Sequence, residues 1–407
     1  MDHAGGGRGT AVATSRLGIG AAAVAVASAV TSAFGYLVPV LGARTLGPSD
    51  LGALATVLAI AGIVAVPSMG LQIAVAVHRA RQPGATARRA GWLTAAACAA
   101  LVAMLAPVAD ALLDVPATVI LLLAVYTGAI VLAGRWLGEL QGDERFLRLA
   151  LGMSVLAAGR YGGLSAGLLL DAGLTGSMLI GTATALLIPA VLPVLARAVR
   201  GVRAGMTITA RQVFTACSAT LAMLVVSYAD FLLARHLLPG HESGAYAVGT
   251  VLTKGAIWAP QVVTVLLLPR LAKGSRRALI VALGLVTASG TILVTASAVA
   301  GGLAFRFAGG ENYVALGRYA PVFAATGALY ALVFVLINAQ VAAGAKWPSA
   351  PLWAGTGLLV VVAEFVVPHT LEAIMWCATG TALLILVATA VPNVARHRRT
   401  RVAPATD

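Results

Sequence analysis

The sequence is short of charge. Aspartate, glutamate, lysine and arginine make up 10% of its 407 residues, against roughly 25% in a soluble domain. A chain with 60% hydrophobic residues and a mean hydropathy of +0.94 cannot cover a folded surface with polar groups. It reads as a polytopic membrane protein whose solvent is the bilayer. Acids are the scarcer sign, 14 against 28 basic residues, for a net charge of +14. In a soluble protein that excess would point to nucleic acid. Here the basic residues fall in short loops between apolar runs, which topology alone accounts for, and no nucleic-acid partner is expected. The three cysteines, Cys98, Cys217 and Cys377, stand in apolar runs without CxxC spacing, so they read as small hydrophobes rather than as a disulfide or a metal site. No P-loop, HExxH or paired-cysteine pattern occurs. ATP-driven transport and metal chemistry therefore have no support within the chain, and no cofactor is expected.

What is present is a succession of apolar runs. A membrane-crossing helix needs about 20 apolar residues, and twelve candidates qualify, at roughly 17–42, 51–77, 91–109, 116–136, 149–170, 174–196, 212–236, 244–269, 278–304, 320–343, 350–367 and 371–392. Lipid offers no partner to an open strand edge, so runs apolar all round are helices. The first, after a polar start with Arg8 and Arg16, is too long for a signal-peptide core and reads as a helix that stays. With the N-terminus placed in the cytoplasm, 22 of the 28 basic residues fall on the inner side. The outer turns hold Arg44, Arg235, Arg306 and Arg318, and two bases, Arg160 and Lys254, fall within spans. That bias supports twelve spans with both termini inside. The tryptophans, such as Trp92, Trp136 and Trp347, fall mostly near span ends, as an aromatic belt does.

The chain also repeats itself. ARTLGPSDLGALA (residues 43–55) aligns with ARHLLPGHESGAYA (residues 234–247), placing Arg44 on Arg235, Gly52 on Gly244, Pro67 on Pro260 and Arg79 on Arg270. A fainter echo puts Gln141 and Gly142 near Gln340 and Gly344. The expected organisation is a cytoplasmic segment 1–16, a six-helix lobe 17–197, a basic cytoplasmic linker 198–211, a second six-helix lobe 212–392 and a basic tail 393–407. Two parallel repeats related by an axis along the membrane normal are a known transporter architecture. Pro67 and Pro260 are expected to kink their helices.

Ionisable groups inside a span are costly and mark function by default. Arg160 and Lys254 fall near the middle of spans five and eight. Lys254 shares a helix face with Thr250 and Gln261, and Arg160 is flanked by Ala157, Gly159, Gly162 and Gly163. The two bases read as groups lining a substrate path, as members of internal ion pairs with Glu364 or Asp230, or as snorkelling side chains. Asp230 and Glu364 are the two acids that read as intramembrane. Each is a candidate for coupling to a proton or Na⁺ gradient, while Asp230 could instead pair with Arg235 or cap the outer turn. Arg44 and Arg235 read as an outer gate or as interfacial anchors.

ARTLGPSDLGALA after the first span resembles the "ARxLGPxxfG" signature of polysaccharide-export flippases, the Wzx-like branch of the MOP (MATE-like) superfamily. ELQGDERFLRLAL (residues 139–151) resembles the inner loop of that family before span five. YADFLLARHLLPGHESGAYAVG, with Pro260 and LLLPRLA after it, resembles its spans seven and eight. The likeness runs in order from about residue 17 to 280 and is weaker beyond. Twelve spans suit the Wzx-like and MATE-like branches better than the fourteen-helix lipid II branch. The resemblance implies an all-α fold of two six-helix lobes in the cytoplasmic membrane and alternating-access flipping of a lipid-linked oligosaccharide on an undecaprenyl-pyrophosphate type carrier. Membrane lipids and polysaccharide assembly machinery are the partners it implies. For such an anionic head, Arg160 and Lys254 would form a two-part phosphate clamp, guanidinium binding bidentately and ammonium as a point charge. A MATE-type ion-coupled exporter is the main rival. A membrane glycosyltransferase or polymerase is the weaker one, because the longest outer segment, about residues 305–319, holds Glu311 as its only acid.

Overall fold

The computed structural model describes residues 6–83, 87–107, 115–197, 208–309 and 311–402. Asp110, Asp114, Arg200 and Arg203, and most of the expected linker, lie outside them, as do the side chains of Trp258, Pro260 and Glu311. The described chain is all helix: α1 (Gly6–Thr45), α2 (Pro48–Arg81), α3 (Arg88–Met104), α4 (Ala117–Gly142), α5 (Phe146–Ala157), a π-helical turn (Ala158–Gly162), α6 (Gly163–Leu169), α7 (Gly173–Ala196), α8 (Ala210–Leu237), α9 (Gly240–Ala272), α10 (Arg276–Gly309), a 3₁₀ segment (Glu311–Tyr319), α11 (Ala320–Ala342), α12 (Ala350–Phe365) and α13 (Leu371–Val402). Among the described residues nine helices are long and apolar enough to cross a membrane. The three remaining predicted spans correspond to α3, to α5–π–α6, and to α12, which are shorter or interrupted. The chain is a multi-pass membrane protein.

Local chemistry sets the helix ends. Pro48, Pro321 and Pro351 stand in first turns, where a missing N–H costs nothing. Asp50 and Glu242 open α2 and α9, while Arg81, Arg235 and Arg270 close α2, α8 and α9, each complementing the helix dipole. Four helices end in the same left-handed cap. Glu144 (φ 56°) and Asp171 (φ 50°) occupy the cap position after α4 and α6, and Gly274 (φ 78°) and Gly344 (φ 73°) do so after α9 and α11. In each, the next N–H bonds back five residues, as from Arg145 to the Leu140 carbonyl at 2.9 Å and from Ala345 to the Gln340 carbonyl at 3.0 Å. The α4 and α11 caps thus match at Glu144 and Gly344, so the repeat offset grows from 191–193 early in each half to 200 here. The chain between these landmarks is longer in the second half, where α10 loses helical geometry at Ala300 and the 3₁₀ segment packs beside Gly301 and Gly302.

The chain divides into two compact units, Met1–Cys217 and Ser218–Asp407. The division falls inside α8. Each unit is built around its fourth span. In the first, α4 packs along α2, α3 and α7; in the second, α11 packs along α9, α10 and α13. In the first unit the seam is a glycine ladder. A Cβ on Gly138 would lie 2.6 Å from the Gln72 carbonyl, and one on Gly142 2.7 Å from the Arg79 Cβ. Gly134 approaches Ser68 just as closely. Glycines at i, i+4 and i+8 line one helix face and let two backbones touch, the small-residue packing that replaces the hydrophobic effect within lipid. Polar groups then bond across the seam: Ser68 Oγ donates to the Ile130 carbonyl at 3.0 Å, and Gln72 Nε2 to Gln141 Oε1 at 2.9 Å. At the basic end Arg79 grips Asp143 with two bonds of 2.8 and 3.0 Å. Gln340 does not copy Gln141; its amide donates to the Thr389 carbonyl on α13 at 2.9 Å.

Candidate functional site

In the first unit the unusual feature is the π-helical turn. Widening a helix by one residue displaces carbonyls from their usual donors. Two neighbouring helices supply replacements. Tyr126 on α4 donates its hydroxyl to the Arg160 carbonyl at 2.6 Å, and Thr184 on α7 donates to the Gly159 carbonyl at 3.1 Å. Gly163 lets α7 approach so closely that any side chain there would strike Thr184. The turn is therefore held from two sides, and Arg160 projects from it. At 1.5 Å per residue Arg160 stands about 21 Å from the start of this interrupted span and about 13 Å from its end, too deep to snorkel at low cost. Its guanidinium lies 4.9 Å from the centroid of the Tyr161 ring, a cation–π contact. Tyr161 in turn faces Gly35 of α1, where a Cβ would stand 3.5 Å from its hydroxyl. Arg160 is half-buried, and its buried Nε has no hydrogen-bond partner. Among the described residues no acid of its own unit pairs with it.

In the second unit the charged residues cluster on the α8–α9 hairpin. Asp230 is 2% exposed and stands seven residues, about 10 Å, inside the end of α8. It does not pair with Arg235, which is exposed. Its carboxylate instead accepts a 3.2 Å bond from the hydroxyl of Tyr246 on α9. A five-residue separation on one helix turns Arg235 away from the face that Asp230 presents to α9, so the alternative of an Asp230–Arg235 pair is not seen. Tyr246 is fixed by an edge-on contact with Phe323 of α11, ring centroids 5.1 Å apart at 80°, and belongs to a core with Phe305, Ala320 and Met375. The buried Tyr330 hydroxyl on α11 has no hydrogen-bond partner.

Lys254 crosses from α9 to α8. Its ammonium donates to the Ser227 carbonyl, lies 3.4 Å from Ser227 Oγ, and sits 3.2 Å above the Tyr228 ring centroid. Lys254 and Asp230 act on each other electrostatically across the hairpin, while the ammonium's direct contacts are on Ser227 and Tyr228. Thr250 spends its hydroxyl on the Ala247 carbonyl at 2.7 Å, and Gln261 is half-buried. The buried hydroxyl that sequence reasoning missed is Thr253, which ties α9 to the Phe323 carbonyl at 3.0 Å. Glu364 is half-buried one residue before the end of α12, and Arg44 is exposed at the end of α1. The hairpin thus brings Asp230 and Lys254 together, while Glu364 stands near the end of α12, where Ala363 packs into a core with Ala229 and Leu233. Among the described residues no group of three or more histidine, cysteine or acidic side chains is placed to hold a metal ion.

No protein-family model matches the chain, and no curated protein matches its sequence. Solved structures do match its fold over nearly its whole length. A multidrug resistance MATE family transporter of the MOP superfamily, in an outward-facing conformation, superposes with a TM-score of 0.72 at 13% identity, over 92% of this chain and 94% of that one. A MOP superfamily transporter from Pyrococcus furiosus, described as having a binding pocket of reverse polarity that suggests a different function, gives 0.68 at 13% identity over 92% and 94%. A point mutant of the Vibrio cholerae MATE transporter VcmN gives 0.62 at 15% identity over 94% of each chain. The chain has the fold of the MATE transporters of the MOP superfamily.

Proposed function

We propose that this protein is a transporter, not an enzyme, that flips a lipid-linked saccharide precursor across the cytoplasmic membrane by alternating access during polysaccharide biosynthesis. The observation that carries the reading is Arg160. A guanidinium stays charged wherever it is placed, and one this deep in a span needs an anion or water to compensate it. Its Nε has no acceptor, and among the described residues no acid of its unit pairs with it. A pyrophosphate head of the undecaprenyl-linked type supplies the missing acceptors. Lys254 provides a second cation in the other unit; its direct contacts are a carbonyl, a hydroxyl and a ring, with Asp230 as its electrostatic neighbour. The sequence motifs around Arg44, Gln141 and Pro239 support the same substrate class.

The second reading is an ion-coupled exporter of small molecules. Buried Asp230 with its tyrosine partner favours it, and so does the description of one structural neighbour as a multidrug resistance transporter. The neighbour whose binding pocket is described as having reverse polarity that suggests a different function leaves room for a substrate other than a drug on the same fold. Reconstituted vesicles separate the two. Movement of a fluorescent undecaprenyl-pyrophosphate saccharide between leaflets, without uptake of a lipophilic cation, is the expected result. Cation transport with no movement of the saccharide lipid would establish the exporter instead.

A further inference from the structure

The first unit contains a cleft of about 670 Å³ between the beginning of α3 and the beginning of α8. α8 is held against the unit at Gly70, where a Cβ would lie 2.6 Å from the Cys217 Cα, and the Cys217 thiol approaches the Pro67 carbonyl at 3.8 Å. Below its rim the cleft is lined by apolar groups, among them Leu93, Cys98, Val213, Phe214 and Cys217. Leu93 is 60% and Phe214 71% exposed, so its walls open outward rather than closing over it. Arg89 lines the rim. Arg88 is its neighbour, and Arg211 follows Ala210, another lining residue. No acid occurs in the sequence from Gln82 to Ala109 or from Ala172 to Ala229.

From Arg89 to Cys98 the cleft runs nine residues of α3, about 13 Å, close to half of the roughly 30 Å hydrocarbon core. Trp92, 54% exposed, stands one turn inside the rim, where an interfacial tryptophan belongs. Arg89 at the rim, with Arg88 beside it on α3 and Arg211 beside the lining residue Ala210, above an apolar trough about one leaflet deep, is complementary to one kind of occupant. We infer that this cleft binds an anionic diacyl phospholipid of the arginine-rich leaflet, with its phosphate at Arg88, Arg89 and Arg211 and one acyl chain along Leu93, Cys98 and Phe214. A chain of one-leaflet length matches the depth of the trough. This site is independent of which substrate the protein carries.

The test uses full-length protein in nanodiscs containing phosphatidylglycerol with a photoactivatable diazirine on one acyl chain, or phosphatidylcholine with the same chain, and maps crosslinks by peptide mass spectrometry. Phosphatidylglycerol crosslinks are expected to concentrate on Leu93–Cys98 and Val213–Cys217, at least about fivefold above phosphatidylcholine, the ratio that one lost basic contact to an anionic lipid gives. The Arg88→Ala/Arg89→Ala double variant should abolish that preference while crosslinks at exposed Leu285 and Ile292 of α10 stay constant. If the double variant does not fold, Ala97→Trp fills the trough from within, keeps the arginines, and should lose the same crosslinks. Equal labelling by the two lipids in the cleft, or labelling there no higher than at Leu285 and Ile292, overturns the inference.

Discussion

The glycine ladder on α4 permits a prediction with an internal control. A methyl group added at Gly138 would stand 2.6 Å from the Gln72 carbonyl and 2.8 Å from the Val75 Cβ. Both are far inside van der Waals contact, and the nearest is backbone, which cannot rotate away. Overpacking of this kind costs about 1–3 kcal/mol. Alanine recovers up to about 1 kcal/mol of helix propensity over glycine, so Gly138→Ala is expected to be destabilising by about 1–2 kcal/mol net. For a unit of this size that is a fall in Tm of roughly 2–8 °C. Gly62, on the partner helix α2, has nothing within 4 Å of its Cβ position. There only the propensity gain applies, and Gly62→Ala should leave Tm unchanged or raise it by a few degrees. Thermal unfolding of the two purified variants in detergent, followed by aggregation onset, makes the comparison. Equal shifts for both, or a stabilised Gly138→Ala, would refute the close approach of α2 and α4.

Two further outcomes follow from the polar contacts. Tyr126→Phe removes the donor to the Arg160 carbonyl and should cost about 1 kcal/mol of stability, a small fall in Tm; because that carbonyl holds the π turn, the transport rate should fall further than the stability loss explains. Asp230→Ala leaves the buried Tyr246 hydroxyl without its acceptor, at about 1–3 kcal/mol, whereas Asp230→Asn keeps an acceptor and should unfold closer to wild type. If Asp230 couples transport to a proton gradient, Asp230→Asn also flattens the dependence of transport rate on pH, and an unchanged profile removes it from that role.

The all-helical, multi-pass fold was legible because a membrane helix is written in composition: nine of the apolar runs are helices long enough to cross a membrane among the described residues, and the other three correspond to shorter or interrupted helices. The ends were placed only roughly, at 51–77 for α2 against Pro48–Arg81, although Pro48, Asp50 and Arg81 stand in its terminal turns. What lay beyond reach was register between helices. Nothing near Asp230 in the sequence singles out Tyr246, sixteen residues away across a turn, over Arg235 on the same helix. The π turn was equally hidden, because it depends on Tyr126 and Thr184 arriving from other spans to satisfy its carbonyls. One signal was present and went unread: Gly134, Gly138 and Gly142 recur every four residues, which marks a helix face built for close packing. Arg160 and Lys254 stood out because charge within an apolar run is visible without any structure.

The central claim is that Arg160 meets an anionic substrate. The most direct measurement is the initial rate at which a fluorescent undecaprenyl-pyrophosphate saccharide becomes accessible to an external quencher in vesicles holding wild type, Arg160→Lys or Arg160→Ala at equal protein levels. Loss of a charge-assisted contact worth about 1.5–3 kcal/mol predicts a rate reduced on the order of tenfold or more for Arg160→Ala, with Arg160→Lys in between. A wild-type rate from properly folded Arg160→Ala would contradict the account.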